Sequence, residues 1–148
     1  MHAIDVRPPN ARNKANYVAA KAAYNARELD QCLAFYSREH QIMSRPAPPG
    51  REQIRGFLEG TLVSWPDLRL DVAQVVAEDE WVMGRCVVIA THSTVVMGVP
   101  PTGKQVVTTF WDLHRFDEAG LIVQTWNLMD SLTLMNQLGL LPSPPLSG

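Results

Sequence analysis

The order of periodicities along the chain predicts an α+β fold. Apolar residues recur at helical spacing as far as Trp65, and from Asp67 onward they alternate, with a helical repeat returning only near the C-terminus. Helices and strands kept in separate runs argue against a parallel sheet wound through crossover helices. The expected order is three helices, a meander of about four antiparallel strands and a short closing helix.

Residues from about Asn13 to Ala26 are alanine-rich, which favours helix, and Tyr17, Ala20 and Tyr24 fall on one face with Lys14 and Lys21 assigned elsewhere. Leu29, Cys32, Leu33 and Tyr36 then follow the i, i+3, i+4, i+7 rule of a second apolar stripe. Pro46, Pro48, Pro49 and Gly50 close that region. A third helix runs from Arg51, carrying Ile54, Phe57, Leu58, Thr61, Leu62 and Trp65 along one side until Pro66-Asp67 stops it.

Beyond Asp67, Leu68, Leu70 and Val72 face one way and Arg69 and Asp71 the other, as in a half-buried strand. Glu78-Asp79-Glu80 reads as its turn, and a long strand follows from Trp81 to about Met97. Its two faces are both apolar, Trp81, Met83, Val87 and Ile89 on one and Val82, Cys86, Val88 and Ala90 on the other. Helices of the same chain can cover one face; a homodimer through the sheet is expected to cover the second. Gly98 to Gly103 form a turn, and strands from Lys104 to Phe116 and from Leu121 to Asp130 flank the hairpin loop Asp117 to Gly120. Leu134, Leu138 and Leu141 mark the last helix.

With 148 residues, 46% hydrophobic and 19% charged, the chain has the makings of one globular domain, 1–148, with loose tails at 1–10 and 143–148. Net charge is −2 and the basic residues are scattered, so no nucleic-acid partner is expected. The start lacks a basic segment followed by an apolar run, and Val82 to Met97 is interrupted by Gly84, Arg85 and His92, so neither a secretory signal nor a membrane span is predicted. A soluble, cytoplasmic protein is the expectation. Cys32 and Cys86 sit in apolar surroundings that suit buried thiols, and His2, His40, His92 and His114 are too far apart to propose a metal site.

Gly98-Val99-Pro100-Pro101-Thr102-Gly103-Lys104 imitates a phosphate-binding loop. It is read as a turn, because two prolines lack N–H groups, Gln105 replaces the metal-binding hydroxyl and no helix follows. Asp112 and His114, two apart on one strand, share a face with Val106, Phe110 and Phe116; they either act on a substrate carbonyl or are merely hydrogen-bonded at the sheet. Asp130 ends the last strand on the face of Ile122, Trp126 and Leu128. It either caps the final helix or, with Ser131 as the cap, points toward Trp126 as a desolvated acid/base. His92 reads most simply as a satisfied core histidine. Trp65, Trp111 and Trp126 are ordinary core candidates whose flat surfaces also suit a pocket.

Gly50-Arg51-Glu52, Trp65-Pro66-Asp67-Leu68, Thr91-His92-Ser93, the 98–104 turn, His114-Arg115-Phe116, Gly120-Leu121-Ile122, Trp126-Asn127-Leu128-Met129-Asp130 and Gln137-Leu138-Gly139 together resemble the SnoaL-like polyketide and ester cyclase family, within the nuclear transport factor two-like superfamily. The resemblance covers roughly Arg51 to Pro142. It implies a cone of N-terminal helices packed on a strongly curved antiparallel sheet enclosing one pocket. It also implies aldol-type ring closure of a small hydrophobic carbonyl compound without metal or organic cofactor, with Asp130 as acid/base and His114 assisting. His92, Asp112, Phe110, Trp126, Trp65 and Tyr36 are the expected substrate contacts. Epoxide or lactone hydrolysis, ketone isomerisation and non-catalytic binding of an apolar ligand stand as the alternatives.

Overall fold

The structure, a computed structural model, describes residues 5–141. Helix α1 spans Pro9–Asn25, beginning earlier than expected because Pro9 suits a first turn, where its missing N–H has no partner to lose. The short α2 spans Leu29–Leu33 and α3 spans Arg51–Ser64. Between them lies a strand that the periodicity did not reveal, β1, Tyr36–Ile42; Tyr36 therefore opens a strand and does not extend the second helix. The alternating segment forms β2 (Arg69–Glu78), β3 (Trp81–Thr91), β4 (Gln105–Phe116) and β5 (Ile122–Met129), and α4 (Ser131–Gln137) follows. The expected tail from 143 lies outside the described residues.

The five strands form one sheet in the order β1-β5-β4-β3-β2. From β2 to β5 it is the expected antiparallel meander. β1 corrects the all-antiparallel expectation, because it pairs parallel to β5, with Ile42 opposite Thr125. Arg38 and Glu39 break the alternation of β1, which is why its sequence does not read as a strand.

One face of the sheet carries the core. Val82, Cys86, Val88 and Ala90 of β3 and Val106, Phe110 and Phe116 of β4 are buried against Tyr17, Ala20 and Tyr24 of α1, Ile54 and Leu58 of α3, and Leu33. Both cysteines are free and buried. The amide of Asn25 ties α1 to the edge strand, donating to Leu70 O at 2.8 Å and accepting from Leu70 N at 2.9 Å.

A bulge in β5 changes which residues reach that core. Gln124 pairs with Arg115 but Ile122 pairs with Phe116, so Val123 is an extra residue and the alternation flips there. Ile122 and Thr125 both point inward as a result, whereas Trp126 lies on the outer face, 5.8 Å from the Trp81 ring. The expected common face of Ile122, Trp126 and Leu128 is thereby corrected. The outer face is apolar, with Met83, Val107, Trp111 and Leu128 exposed. No helix among the described residues is long and apolar enough to cross a membrane.

Gly84 is required by packing. A Cβ there would stand 2.0 Å from the Tyr17 hydroxyl oxygen and 2.2 Å from the ring carbon bearing it. Gly84→Ala is expected to push Tyr17 out of its seat and to cost about 1–3 kcal/mol in urea denaturation. An unchanged midpoint would show that α1 does not depend on this approach.

Candidate active site

The alternation of β4 sends Asp112 and His114 inward beside Val106, Phe110 and Phe116, and both polar side chains are buried. On α1, Lys21 belongs to the same stripe as Tyr17, Ala20 and Tyr24, at i+4 from Tyr17, and is buried with them. It was expected on another face because a lysine in an apolar stripe is ordinarily solvated.

These residues meet around the Asp112 carboxylate. The Tyr17 hydroxyl donates to Oδ1 at 2.5 Å, the Lys21 ammonium pairs with Oδ2, and His114 Nε2 approaches Oδ2 at 3.2 Å. On the other side of the imidazole, His114 Nδ1 lies 2.8 Å from Thr125 Oγ1, and His40 Nε2 lies 2.7 Å from the same oxygen. His40 comes from β1 and Thr125 from the flipped part of β5, so two irregular strands complete the cluster.

Burial opposes the Asp112 carboxylate, but the attraction of Lys21 and His114 outweighs it and holds the acid well below the usual carboxylate range. Burial likewise opposes the Lys21 ammonium, and Asp112 turns the net direction upward. Burial lowers His40 to about 3, with the neighbouring His114 adding to the effect, so His40 is neutral. The Tyr17 and Tyr36 hydroxyls are pushed up, by burial first, and stay protonated. An ion pair in the core therefore coexists with neutral, proton-bearing neighbours.

A cavity of about 600 Å³ opens onto this cluster between α3 and the sheet. Lys21, Tyr36, Asp112, His114 and Thr125 line its polar end; Trp65, Phe110, Ile54, Leu58 and Leu70 supply apolar wall. Tyr17 and His40 stand behind that lining.

Of the expected contacts, Tyr36, Trp65, Phe110, Asp112 and His114 face the cavity and three other residues do not. Trp126 is on the outer face. His92 is buried away from the lining, where its Nδ1 holds Thr102 Oγ1 at 2.9 Å and its ring lies against Trp65, so it fastens the 98–104 turn to β3. Asp130 is the N-cap of α4, accepting from Thr133 N at 3.1 Å and Thr133 Oγ1 at 2.7 Å. Its carboxyl is exposed and lowered by those two bonds, so the sheltered, raised carboxyl expected there is not found. Sequence reasoning missed Lys21, Tyr17, Thr125 and His40. Only Lys21 and Tyr17 left a signal, their shared i, i+4 spacing on an apolar stripe. Among the described residues no group of three or more His, Cys, Asp or Glu side chains is placed to hold a metal ion.

The pH dependence of stability follows from the two directions. Asp112 is depressed when folded, so its contribution is complete above the unfolded value of about 4 and is lost as pH falls toward the folded one. Lys21 is raised, so its contribution is complete below about 10.4 and is lost as pH rises toward the folded value. Lys21→Met, which strands Asp112, is expected to lower stability by about 3–5 kcal/mol near neutral pH, and adding Asp112→Asn is expected to restore most of it. Urea midpoints between about pH 3 and 8 test this: the double variant should have a shallower acid limb than the parent. Equal acid limbs would contradict an ionised Asp112.

Comparison with known proteins places the architecture. None of the curated proteins matches the chain. The family model for SnoaL-like polyketide cyclase matches residues 15–138. Among solved structures, AclR, a candidate hydroxylase from Streptomyces galilaeus, is 31% identical with a TM-score of 0.80, over 93% of this chain and 91% of its own. Wild-type IdmH, a candidate polyketide cyclase from Streptomyces antibioticus, is 30% identical with a TM-score of 0.76, over 86% of this chain and 98% of its own. A SnoaL-like polyketide cyclase from Agrobacterium tumefaciens shares the fold at a TM-score of 0.75 and 23% identity, over 86% and 98%. With helices packed on one face of a mixed sheet and the family pattern running through both, the chain belongs to the SnoaL-like polyketide cyclase family, on the nuclear transport factor two-like fold.

Proposed function

We propose that the chain carries out acid/base chemistry without an organic cofactor on a hydrophobic carbonyl compound, aldol-type ring closure being the first assignment. The observation that carries it is the buried Asp112–His114 pair opening on an apolar-walled cavity. Family membership and the likeness to IdmH support a cyclase.

In this scheme His114 is the group that takes and returns the proton. With Nε2 facing Asp112, the scheme requires His114 Nδ1 to exchange the Thr125 hydroxyl for the substrate; the neutral imidazole then abstracts a proton from a carbon flanked by carbonyls, and the imidazolium that forms is stabilised by the Asp112 carboxylate. Lys21 and Tyr36, at the same end of the cavity, can donate to the enolate oxygen. The enolate attacks an internal carbonyl, the new C–C bond forms, and His114 returns its proton to the alkoxide. Apolar walls fold the flexible chain into an attack geometry and contribute to the rate by positioning. Asp130, capped and exposed, has no part in this scheme.

Hydroxylation is a second reading, supported by the likeness to AclR. The two differ in product: ring closure leaves oxygen uptake at zero, and hydroxylation consumes dioxygen, placing one oxygen atom in the product and releasing the other as water with two electrons drawn from the substrate or from an added reductant.

The test is turnover of compounds recovered from the pure protein after incubation with metabolite extracts. His114→Gln and Asp112→Asn are expected to lose about 10²–10⁴-fold in kcat. Asp130→Asn should keep kcat within about twofold while costing about 0.5–2 kcal/mol of stability. Full activity in His114→Gln, or its loss in Asp130→Asn without unfolding, would overturn the assignment.

We also propose that two copies associate through the outer sheet face, where Met83, Trp111 and Leu128 are exposed beside Trp126. Sedimentation should give a dimer for the parent and a monomer for Trp111→Glu. A monomeric parent at all concentrations would rule this out.

A further inference from the structure

The cavity has a second polar region. Beyond the Asp112–His114 pair its lining continues to Ser44, Arg45 and Asn127. The parallel pairing of β1 with β5 brings these residues together: Ile42 stands opposite Thr125, so the chain leaving β1 runs alongside β5 toward Asn127. Asn127 follows Thr125 by two residues on the same strand face, about 7 Å farther along. Thr125 is buried, Asn127 half-buried and Arg45 exposed, so this direction leads from the floor of the site to its mouth.

The segment that carries Arg45 is held from both sides. Met43 N donates to Thr125 O at 2.7 Å and Ser44 Oγ donates to Asn127 Oδ1 at 3.2 Å, which fixes it to β5. Gln53 of α3 accepts from Ile42 N at 3.2 Å and donates to Arg45 O at 3.4 Å, which fixes it to the helix opposite. The Arg45 guanidinium lies over the Phe57 ring, 5.0 Å from its centroid, and Phe57 is part of the cavity wall. Stacking uses the face of a guanidinium and leaves its edge N–H groups to donate. Among the described residues no carboxylate pairs with Arg45, whereas Arg55 of the same wall helix is committed to Asp30 and Glu59.

Of the Lys, Arg, Asp and Glu side chains, Lys21, Asp112 and Arg45 line the cavity. Lys21 and Asp112 form an ion pair, so the charge left over in this set is the positive one of Arg45 at the mouth. Ser44 occupies Oδ1 of Asn127, which leaves the amide N–H groups of Asn127 as further donors at the same rim. We propose that this rim receives a carboxylate carried by the substrate, with Arg45 as its binding residue and Asn127 as a second donor. The inference deepens the cyclase reading, on which it rests for the reaction at the floor of the cavity: the substrates become carbonyl acids, with the reacting carbon at His114 and the acid group held at the mouth.

A carboxylate suits this rim better than a phosphate dianion, because one guanidinium fork matches two carboxylate oxygens and a single positive charge is to be balanced. The placement also orients the ligand. Apolar walls alone admit a flat molecule either way round, and a few placed polar groups are what fix its direction. A carboxylate at the exposed rim keeps part of its hydration, whereas the same group turned inward would be buried against Asp112, whose charge repels it. Arg45 therefore selects the pose in which the uncharged carbonyl end goes in first.

Binding to the resting protein tests this without turnover. The probes are 6-acetyl-2-naphthoic acid, an apolar ketone with a carboxylate at its far end, and its methyl ester, titrated at neutral pH and low salt against tryptophan fluorescence. The parent is expected to bind the acid about tenfold more tightly than the ester, the scale of a charge-assisted pair at a partly solvated rim. Arg45→Met keeps an apolar stem on Phe57, and should lose that tenfold for the acid while holding the ester within about twofold. Arg55→Met removes the same charge from outside the cavity and should leave the preference as it is. Equal affinities in the parent, or no measurable binding of the acid, would overturn the inference. So would an equal loss in Arg55→Met, or a preference that survives Arg45→Met, which would move the anion to Lys21. A protein that shows the Arg45-dependent preference but turns over no carbonyl acid would count against the cyclase assignment and leave the acid site standing.

Discussion

Everything at the polar end of the cavity depends on one carboxylate, Asp112, kept ionised inside the protein. Alone, a buried carboxylate takes up a proton, because burial penalises charge heavily. Three donors prevent this: the Tyr17 hydroxyl, the Lys21 ammonium and the His114 imidazole. Two of them come at a structural cost elsewhere. Tyr17 fits only because residue 84 has no Cβ, and Lys21 occupies a place on α1 that an apolar residue would otherwise fill. Replacing such a pair by apolar side chains of similar volume often stabilises a protein. Its retention here, at the edge of a cavity, fits a role in chemistry better than one in folding.

Because Asp112 is satisfied so thoroughly, it is a poor base and a good orienting group. In the proposed scheme the proton-carrying role falls to His114, which faces Asp112 with one nitrogen and a hydroxyl with the other. The remainder of the site follows from topology. β1 runs parallel to β5 and brings His40 to Thr125, and the bulge at Val123 turns Thr125 inward. Were the Phe116–Ile122 register continued without that extra residue, Gln124 and not Thr125 would stand opposite His114.

These irregularities mark where the sequence was legible and where it was not. The helix α3 and the shared inward face of Asp112 and His114 could be read directly, since each follows an unbroken period of 3.6 or 2, and the antiparallel meander was legible despite the register shifts in β2 and β5. β1 could not, because Arg38 and Glu39 interrupt its alternation and its partner strand is distant in sequence. A bulge leaves no mark in a hydrophobic pattern, so alternation carried past Val123 put Trp126 and Asp130 on the wrong face. Asp130 shows the complementary error. Its local chemistry as a helix cap was plain from the sequence, and family resemblance favoured catalysis against it; the structure has both oxygens on Thr133. Lys21 was misplaced by residue type alone, since its spacing from Tyr17 and Tyr24 already put it on the buried stripe.

The ionisation of Asp112 is open to direct observation. Isotope-edited infrared spectra of protein carrying ¹³C-labelled aspartate carboxyls, differenced against Asp112→Asn, isolate this one group. A carboxylate stretch that persists at every pH where the protein stays folded is the predicted result. A protonated carbonyl band at neutral pH, absent from the variant, would contradict it.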